Sequence, residues 1–454
     1  MGSIRRVRRA TWLALFAGFV AAPLALAQPP VGDWAGVLRP PGAVLRLNLH
    51  LSQAADGRLE GYLISLDQGE ANMVFDQVEA TDATLHLEAS RQGAVYDGRW
   101  NGRRGVWEGE WRQGPQSLAL TFRPGQIGVP VRAPRPQQPH PPFPYRQEEV
   151  SFQSPGARLA GTLTLPPGKG PFPAVILIAG SGRHTRDDRL FDHQPFLVLA
   201  DDLTRRGIAV LRYDKRGSGL SFGDYDSATT RDFAADVEAA AAFLRSHSDI
   251  DPAKVGLIGH SEGGLVAPMV AEEDPNIAFL VLLAPPAVPG EAVLLEQGRL
   301  IRLARGASPA AARAALRDQR RVYDLIVAGA DARQVSAFQA GPAGLDPGDS
   351  SLDSLPWMKF FLAYDPAPAL RKLRIAVLAM IGSKDLQVSP AQNLPALKAS
   401  LAGNPKAEVV EQEGLNHFFQ TADSGSPDEY GRIEETFAPK ALQTLGDWIV
   451  EQTR

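Results

Sequence analysis

The chain has 454 residues, of which 44% are hydrophobic and 22% are charged, and its formal net charge is −4. This length suggests two or three domains of ordinary globular composition. No run of basic residues occurs outside the N-terminus, so we expect no nucleic-acid partner. The absence of cysteine excludes disulfides, cysteine nucleophiles, thiolate metal sites and lipid anchoring through cysteine.

The N-terminus has the pattern of an export signal. An apolar run, Trp12–Leu26, is too short to span a bilayer comfortably and follows four arginines, Arg5, Arg6, Arg8 and Arg9. Ala25-Leu26-Ala27 fits a cleavage site, so we predict that residues 1–27 are a signal peptide and that the protein reaches the periplasm or the medium. The alternative, an anchoring helix, is disfavoured by Pro23, and we expect no stable membrane anchor. We prefer the general secretory route to twin-arginine export.

Residues 28–123 are predicted to form a small all-β domain. Apolar and polar residues alternate in segments such as Val44–Leu51 and Thr84–Glu88, and Asp56-Gly57 and Asn101-Gly102 are typical hairpin turns. We expect about eight strands in a sandwich or barrel. Four tryptophans are expected to pack in its core or at its edge, the alternative being a carbohydrate site; they are Trp34, Trp100, Trp107 and Trp111.

A proline-rich stretch, residues 124–146, is predicted to be an extended linker. The pattern of residues 147–454 is α/β. The segments Glu149–Phe152 and Arg158–Leu165 predict an antiparallel hairpin. Later strand-like runs are apolar on both faces and alternate with helical segments. This predicts a doubly wound, mainly parallel sheet that binds ligands at the carboxyl ends of its strands.

The predicted parallel strands are Ala174–Ala179, Ile208–Arg212, Val255–Ile258, Phe279–Leu283, Ile375–Ile381 and Ala407–Glu411. The predicted helices are Pro195–Arg206, Thr230–Ser246, Leu265–Glu272, Pro390–Ala402 and Tyr430–Gln452. Residues 287–370 interrupt the alternation, since they contain only helical patterns: Val293–Arg305, Ser308–Ala328 and Ala330–Gln339. An insertion of this length is usually functional, so we predict a cap over the site. The alternative is a peripheral helical decoration.

The most informative motif is a G-x-S-x-G sequence between a buried-looking strand and a helix, with Ser261 at its centre. A serine nucleophile needs a base oriented by a carboxylate, and the chain order in this architecture is serine, acid, histidine. Seven of the eight histidines precede Ser261, and only His417 follows it. Asp385 ends a predicted strand and its turn, 32 residues before His417. We therefore predict a catalytic triad of Ser261, Asp385 and His417.

A tetrahedral intermediate also needs two preorganised N–H donors. We predict the backbone N–H of Glu262 as one donor and that of Ser181 as the other, with Gly182 as second choice. The Glu262 carboxylate is expected to be solvated or to lie at the helix N-terminus, the alternative being an influence on the site.

Several further residues near these motifs are interpreted as structural. The Arg212–Gly217 segment is expected to hold the sheet edge through ion pairs, and His260 to pack beneath the turn. His184 and Asp187-Asp188 are expected to be structural, the alternative being contact with substrate. The histidines are scattered, so we expect no metal and no cofactor.

The motifs together resemble those of bacterial secreted carboxylesterases of the dienelactone-hydrolase and serine-aminopeptidase branch, especially the EstD-like esterases. The resemblance covers residues 148–454, and we extend it to the β-domain. The motifs that carry it are Ile178–Gly182, Leu211–Gly219, Gly259–Gly264, Gly382–Val388 and Gly414–Gln420. It implies an α/β-hydrolase fold with an inserted helical cap behind a small all-β domain. It also implies hydrolysis of short to medium acyl esters. Ala179 departs from the histidine that many such enzymes carry there, which weakens any analogy of substrate.

The favoured interpretation is a secreted serine carboxylesterase that acts on a small-molecule ester through an acyl-enzyme. Two rivals stay open at this point. One is an exopeptidase or amidase with the same triad, and the other is a non-catalytic protein whose β-domain binds cell wall or glycan. The sequence pattern does not specify the acyl group, the alcohol or the oligomeric state.

Overall fold

The computed structural model describes residues 30–454 except 41–43, 55–56, 67–70, 91–92, 114–115, 128–134, 332–333 and 336–354. The predicted signal peptide, residues 1–27, lies outside the described residues, and so does Asp56 of one predicted turn. In the part of the chain that is described, no helix combines the length and the apolar character that crossing a membrane requires.

The described residues of the N-terminal region form an antiparallel sheet of nine strands, where about eight were expected. Its strands are β1 Gly32–Leu38, β2 Leu45–Gln53, β3 Leu59–Ser65, β4 Ala71–Val74, β5 Gln77–Ala80, β6 Thr84–Ala89, β7 Ala94–Asn101, β8 Val106–Gln113 and β9 Gln116–Pro124. The order is β4-β3-β2-β1-β9-β8-β7-β6-β5. Alternation puts Leu49, Leu51, Leu87, Tyr96 and Phe122 in one core. One face of this sheet is therefore buried, and the other is exposed to solvent.

The predicted packing role of the tryptophans holds for three of the four. Trp34, Trp107 and Trp111 are buried, whereas Trp100 is 38% exposed. The Trp100 ring nevertheless contacts two of the others, because its centroid lies 6.0 Å from that of Trp34 and 5.1 Å from that of Trp107. These aromatic contacts stabilise the end of the sheet near the Asn101-Gly102 turn.

The second sheet begins with the predicted antiparallel hairpin and then becomes parallel. Its strands are β10 Arg146–Ser154, β11 Ala157–Leu165, β12 Phe172–Ile178, β13 Ala209–Tyr213, β14 Phe222–Gly223, β15 Ile250–His260, β16 Phe279–Leu283, β17 Ala376–Gly382 and β18 Ala407–Gln412. The order is β10-β11-β13-β12-β15-β16-β17-β18, with β14 on β11. After β12 the chain forms β13 on one side of β12, and it later forms β15 on the other side. The strand order therefore reverses between β12 and β15, and ligands bind at such a switch point in sheets of this kind.

Helices cover both faces of this sheet, as the doubly apolar strands predicted. The helices described after β12, those of the cap included, are α1 Pro195–Arg205, α2 Thr230–Ser246, α3 Gly263–Glu273, α4 Gly290–Ala304, α5 Pro309–Val327, α6 Leu355–Ala363, α7 Ala367–Lys372, α8 Pro390–Leu401 and α9 Pro439–Thr453. In β12, Ile176 faces the core formed with α2, α3 and α8, and Val175 and Leu177 face the core formed with α1 and α9. The central parallel strands β12, β13, β15, β16 and β17 each contribute to both cores in this way.

The insertion forms a cap with a small core of its own. Leu295 of α4, Val322 and Ile326 of α5, and Met358 and Leu362 of α6 are buried together. The predicted helix Ala330–Gln339 falls largely outside the described residues. Each of the other two predicted cap helices differs from its observed counterpart by at most three residues at either end.

Two sequence-based expectations are wrong. The C-terminal helix does not begin at Tyr430, because a 3₁₀-helix ends at Arg432 and the α-helix starts at Pro439. A proline has no N–H and favours extended backbone before it, and Ala438 is extended with ψ 128°. The Arg212–Gly217 segment does not hold the sheet edge, because β13 lies between β11 and β12.

The second half of the proline-rich stretch lies against the α/β region. The Arg135 guanidinium donates to the carbonyls of Ile433, Gly431 and Phe191 at 2.8–2.9 Å. The Gln137 side chain donates to the Phe437 carbonyl at 2.6 Å. The Ile433 and Phe437 carbonyls belong to the segment between the 3₁₀-helix and α9.

Candidate active site

Ser261 occupies the turn between β15 and α3 at the switch point of the sheet. Its φ is 54°, in the left-handed region that costs a residue with a side chain some free energy. Its N–H donates to the Leu283 carbonyl at 2.8 Å, which holds the turn. A Cβ at Gly259 would collide with the Gly263 carbonyl, and one at Gly263 with the Ile178 carbonyl. Neither glycine of the motif therefore leaves room for a side chain.

The structure brings Asp385 and His417 together. His417 Nδ1 lies 2.8 Å from Asp385 Oδ2, and both residues are at most 2% exposed. The other carboxylate oxygen accepts the N–H groups of Gln387 and Val388, each at 2.8 Å. This fixes the carboxylate and leaves Nε2 as the basic nitrogen of the imidazole. His417 and Ser261 line the same cavity.

Gly180 and Ser181 border this cavity on the far side of Ser261. A Cβ at Gly180 would lie 3.2 Å from the Cβ of Ser261. Within the described residues, the N–H groups of Ser181 and Glu262 donate to no other group. Both N–H groups are therefore available to a ligand in the cavity.

A cavity of about 560 Å³ lies between the strand ends and the cap. Apolar side chains of the cap form much of its upper wall, and polar groups occur at both ends. The lining includes Ser181, His184, Asp188, Phe191, His260, Ser261, Val293, Leu294, Gln297, Ile301, Arg302, Gln319, Trp357, Met358, Phe361, His417, Phe418 and Tyr430. The cap therefore covers the site, as predicted. Among the residues described, no group of three or more metal-ligating side chains is arranged to hold an ion.

Comparison with known proteins identifies the family. The model of the alpha/beta hydrolase family matches residues 175–431, more than half of the chain. The chain belongs to the alpha/beta hydrolase family. It is 26% identical to esterase EstD of Thermotoga maritima over 299 residues, which make up 64% of this chain and 66% of that protein. The match thus spans slightly less than two thirds of the relative.

Two further similarities extend the comparison. An uncharacterized protein of Mycobacterium tuberculosis is 34% identical over 130 residues, 29% of this chain and 42% of that protein. Among solved structures, the Pyrococcus furiosus esterase Pf2001 aligns with a TM-score of 0.45 at 16% identity. That alignment covers 68% of this hydrolase chain and 92% of the other.

The Glu262 side chain of this hydrolase lies at the N-terminus of α3, one of the two positions expected, but it is buried and not solvated. It is 1% exposed and accepts hydrogen bonds from Thr230 Oγ1 at 2.7 Å and from Trp357 Nε1 at 2.6 Å. Lys215 Nζ lies 3.4 Å from its second oxygen. One carboxylate thus joins helix α2, the cap and the loop after β13, directly beside Ser261.

Lys215 belongs to the segment that was expected to be structural, and it reaches the site. Its ammonium also donates to the Gly180 carbonyl at 2.8 Å and lies 3.9 Å from the centre of the Phe233 ring. Burial lowers the pKa of Lys215, although Glu262 opposes this effect. Its neighbours Arg212 and Arg216 pair with Asp187 and Asp236, as ion pairs of a structural segment should.

His260 packs beneath the turn, as predicted. It is 6% exposed, and its Nε2 donates to the His417 carbonyl at 3.0 Å. Burial, followed by the neighbouring His417, lowers the pKa of His260 to about 4. A neutral ring at this place carries no charge toward the His417 imidazole.

His184 makes contacts that the sequence did not reveal. Its Nε2 lies 2.7 Å from the Ser181 carbonyl and its Nδ1 lies 2.7 Å from Asp188 Oδ1. Both neighbouring atoms are acceptor oxygens, and the Asp188 contact is an ion pair without hydrogen-bond geometry, so a charged imidazolium suits this position. Burial lowers the pKa of His184, but the Asp188 carboxylate outweighs burial and the pKa is raised above its ordinary value. The i, i+4 spacing of these two residues was the only signal available in the sequence.

Proposed function

We propose that this protein is a serine carboxylesterase that hydrolyses small acyl esters through an acyl-enzyme. The observation that carries the proposal is the buried Asp385–His417 pair, whose imidazole lines the same cavity as Ser261, a residue on a strained turn. The similarity to a protein named as an esterase favours ester over amide substrates.

The reaction follows from the roles that these groups can play. Ser261 Oγ attacks the ester carbonyl while His417 Nε2 takes its proton, and Asp385 holds the imidazole and stabilises the imidazolium. The N–H groups of Ser181 and Glu262 bind the oxyanion. The intermediate collapses, the alcohol leaves with the proton from His417, and the acyl group stays on Ser261.

Deacylation repeats these steps with water. His417 takes a proton from water, whose oxygen attacks the acyl carbonyl, and the same two N–H groups bind the second oxyanion. Collapse breaks the bond to Ser261 Oγ, which regains its proton from His417, and the carboxylic acid leaves.

The test compares hydrolysis of p-nitrophenyl acetate and butyrate by the wild type, Ser261→Ala and His417→Ala. Each variant should lose roughly 10⁴-fold or more in kcat. The matched controls are Ser227→Ala and His140→Ala, which change exposed residues outside the cavity and should keep full activity. Full activity in both triad variants would contradict the proposal.

Two further assays separate the rival functions. A fluorophosphonate should label the wild type and not Ser261→Ala, whereas a non-catalytic binding protein would not be labelled at all. Aminoacyl anilides tested beside the esters distinguish an exopeptidase or amidase, which would hydrolyse them at least as well.

We also propose that the protein acts in the periplasm or outside the cell, on the strength of the N-terminal signal pattern. N-terminal sequencing of the exported protein should give Gln28 as its first residue. A chain that retains residues 1–27 would exclude cleavage there.

A further inference from the structure

One face of helix α4 forms a wall of the cavity. Val293, Leu294, Gln297, Ile301 and Arg302 line the cavity, and their spacing puts them on a single helical face. Helix α4 starts seven residues after β16, so its first turn lies nearest the strand ends. The wall therefore changes from apolar to polar over about 13 Å of helix, measured from residue 293 to residue 302.

Arg302 differs from the other two arginines near the end of this helix. Arg299 pairs with Glu296, and Arg305, at the C-terminal end, pairs with Asp428. Arg302 lines the cavity half-buried, and among the residues that the structure describes no carboxylate pairs with it. Its Nη1 donates to the Gly298 carbonyl at 3.0 Å. The guanidinium is thus turned back toward the strand ends.

A second polar group on the facing helix lacks a partner. Gln319 of α5 lines the cavity, is 5% exposed, and its amide nitrogen is buried without a hydrogen bond to any described residue. Buried donors in folded proteins are nearly always paired, and one left unpaired is costly. A ligand acceptor in the cavity would remove that cost.

These two groups lie close to each other along the helices. A Cβ at Gly298 would be 2.7 Å from Arg302 Nη1 and 3.9 Å from Leu316 Cδ2. Leu316 and Gln319 are three residues apart and share a face of α5. Arg302 Nη1 therefore lies within about 7 Å of Leu316 Cδ2, and Gln319 follows Leu316 by about one helical turn of α5.

We propose that Arg302 and Gln319 form a subsite for a carboxylate of the substrate, remote from the scissile carbonyl. A guanidinium binds a carboxylate with two parallel N–H donors, and the amide supplies a third. The substrate class is then esters that carry a carboxylate, such as monoesters of dicarboxylic acids. The apolar part of α4 contacts the chain between the two groups. This inference rests on the proposed esterase function.

The experiment compares matched p-nitrophenyl esters, neutral and ω-carboxylated, over a series of acyl chain lengths. A parallel pair, phenyl acetate and carboxyphenyl acetate, puts the charge on the leaving group instead. At the best length the wild type should prefer the carboxylated ester by roughly tenfold or more in kcat/KM, as a charge-assisted pair allows.

Substitutions assign this preference to the two residues. Arg302→Gln should lower the carboxylated-to-neutral ratio of kcat/KM about tenfold, Gln319→Leu should lower it severalfold, and Arg302→Lys should retain part of it. The matched control is Arg299→Gln, which changes a paired arginine of the same helix outside the cavity and should leave the ratio unchanged.

A binding measurement separates this inference from the proposed function. Ser261→Ala, which cannot turn over, should bind monomethyl adipate more tightly than methyl hexanoate by calorimetry, and Arg302→Gln should remove the difference. Hydrolysis of neutral esters with no preference for a carboxylate, or an unchanged ratio in Arg302→Gln, would overturn the subsite alone. Failure to hydrolyse any ester would instead overturn the proposed function.

Discussion

The indole N–H of Trp357, on cap helix α6, donates a 2.6 Å hydrogen bond to the carboxylate of Glu262, the residue that follows Ser261. The cap is therefore bonded to the nucleophile turn itself. A shift of α6 would change the hydrogen bonding of a buried carboxylate whose backbone N–H is a proposed oxyanion donor.

Trp357→Phe should consequently affect both stability and catalysis. It removes one of three donors to a buried charge, which should lower the free energy of unfolding by about 1.5–3 kcal/mol and lower kcat. Urea unfolding and p-nitrophenyl butyrate kinetics measure the two effects. Trp100→Phe, in the β-domain and 38% exposed, is the control. Equal losses in both variants would mean that the indole contributes only packing.

Lys215 and Glu262 should be strongly coupled. Lys215→Met leaves the buried carboxylate without its cation and should cost about 3–5 kcal/mol. The double variant Lys215→Met with Glu262→Gln should lose less than the sum of the single losses, because neither charge then stays unpaired. Denaturant unfolding of the four proteins completes the cycle. Additivity within about 0.5 kcal/mol would show that the two charges do not interact.

Gly259→Ala should disable the nucleophile turn. The new methyl group would collide with the Gly263 carbonyl, so α3 or the turn must shift. We expect esterase activity to fall by at least about 100-fold, since a displacement of 1 Å costs that much. Gly403→Ala provides the comparison, because nothing lies within 4 Å of a Cβ there. Normal activity in Gly259→Ala would show that the turn tolerates the methyl group.

His184 should make stability depend on pH on the alkaline side. Its folded-state pKa is raised, so its ion pair with Asp188 contributes fully below the unfolded pKa of about 6.5 and is lost as the pH rises through the folded value. The charge of Lys215, whose own pKa is lowered, also acts on His184. Lys215 and His260 both act on Asp188.

The measurement for His184 is the difference in unfolding free energy between the wild type and His184→Gln. That difference should be larger at pH 6 than at pH 9. His140→Gln, at an exposed position, should show no such trend. A difference that is constant with pH would mean that the ring is not charged in the folded protein.

His260 should act in the opposite direction, on the acid side. Its folded pKa is about 4, so between pH 6.5 and 4 the unfolded chain binds a proton that the folded chain does not. Stability should therefore fall with acid, by about 2 kcal/mol at pH 4.5 from this group. Between pH 7 and pH 4.5 the free energy of unfolding of His260→Gln should therefore fall by about 2 kcal/mol less than that of the wild type. An identical loss in both proteins would exclude an acid-sensitive His260.

The sequence predicted most of the sheet because each parallel strand must bury both faces, which requires a run of apolar residues. Chain order and a single downstream histidine also led to Ser261, Asp385 and His417 as the candidate triad, of which the structure places Asp385 and His417 in contact. The partners of Glu262 could not be predicted in this way. Trp357 and Lys215 lie 95 and 47 residues away from it, and no local pattern encodes such contacts.

The bonds of Arg135 and Gln137 bear on where the catalytic region can be cut. A fragment that starts at residue 147 would leave the carbonyls of Gly431, Ile433 and Phe437 without these donors. The same stretch leads into α9, and its Thr436 hydroxyl is hydrogen-bonded to the buried His193 ring. Loss of order in this stretch would therefore also disturb the packing around His193. A shortened enzyme should therefore keep the chain from Arg135 onward.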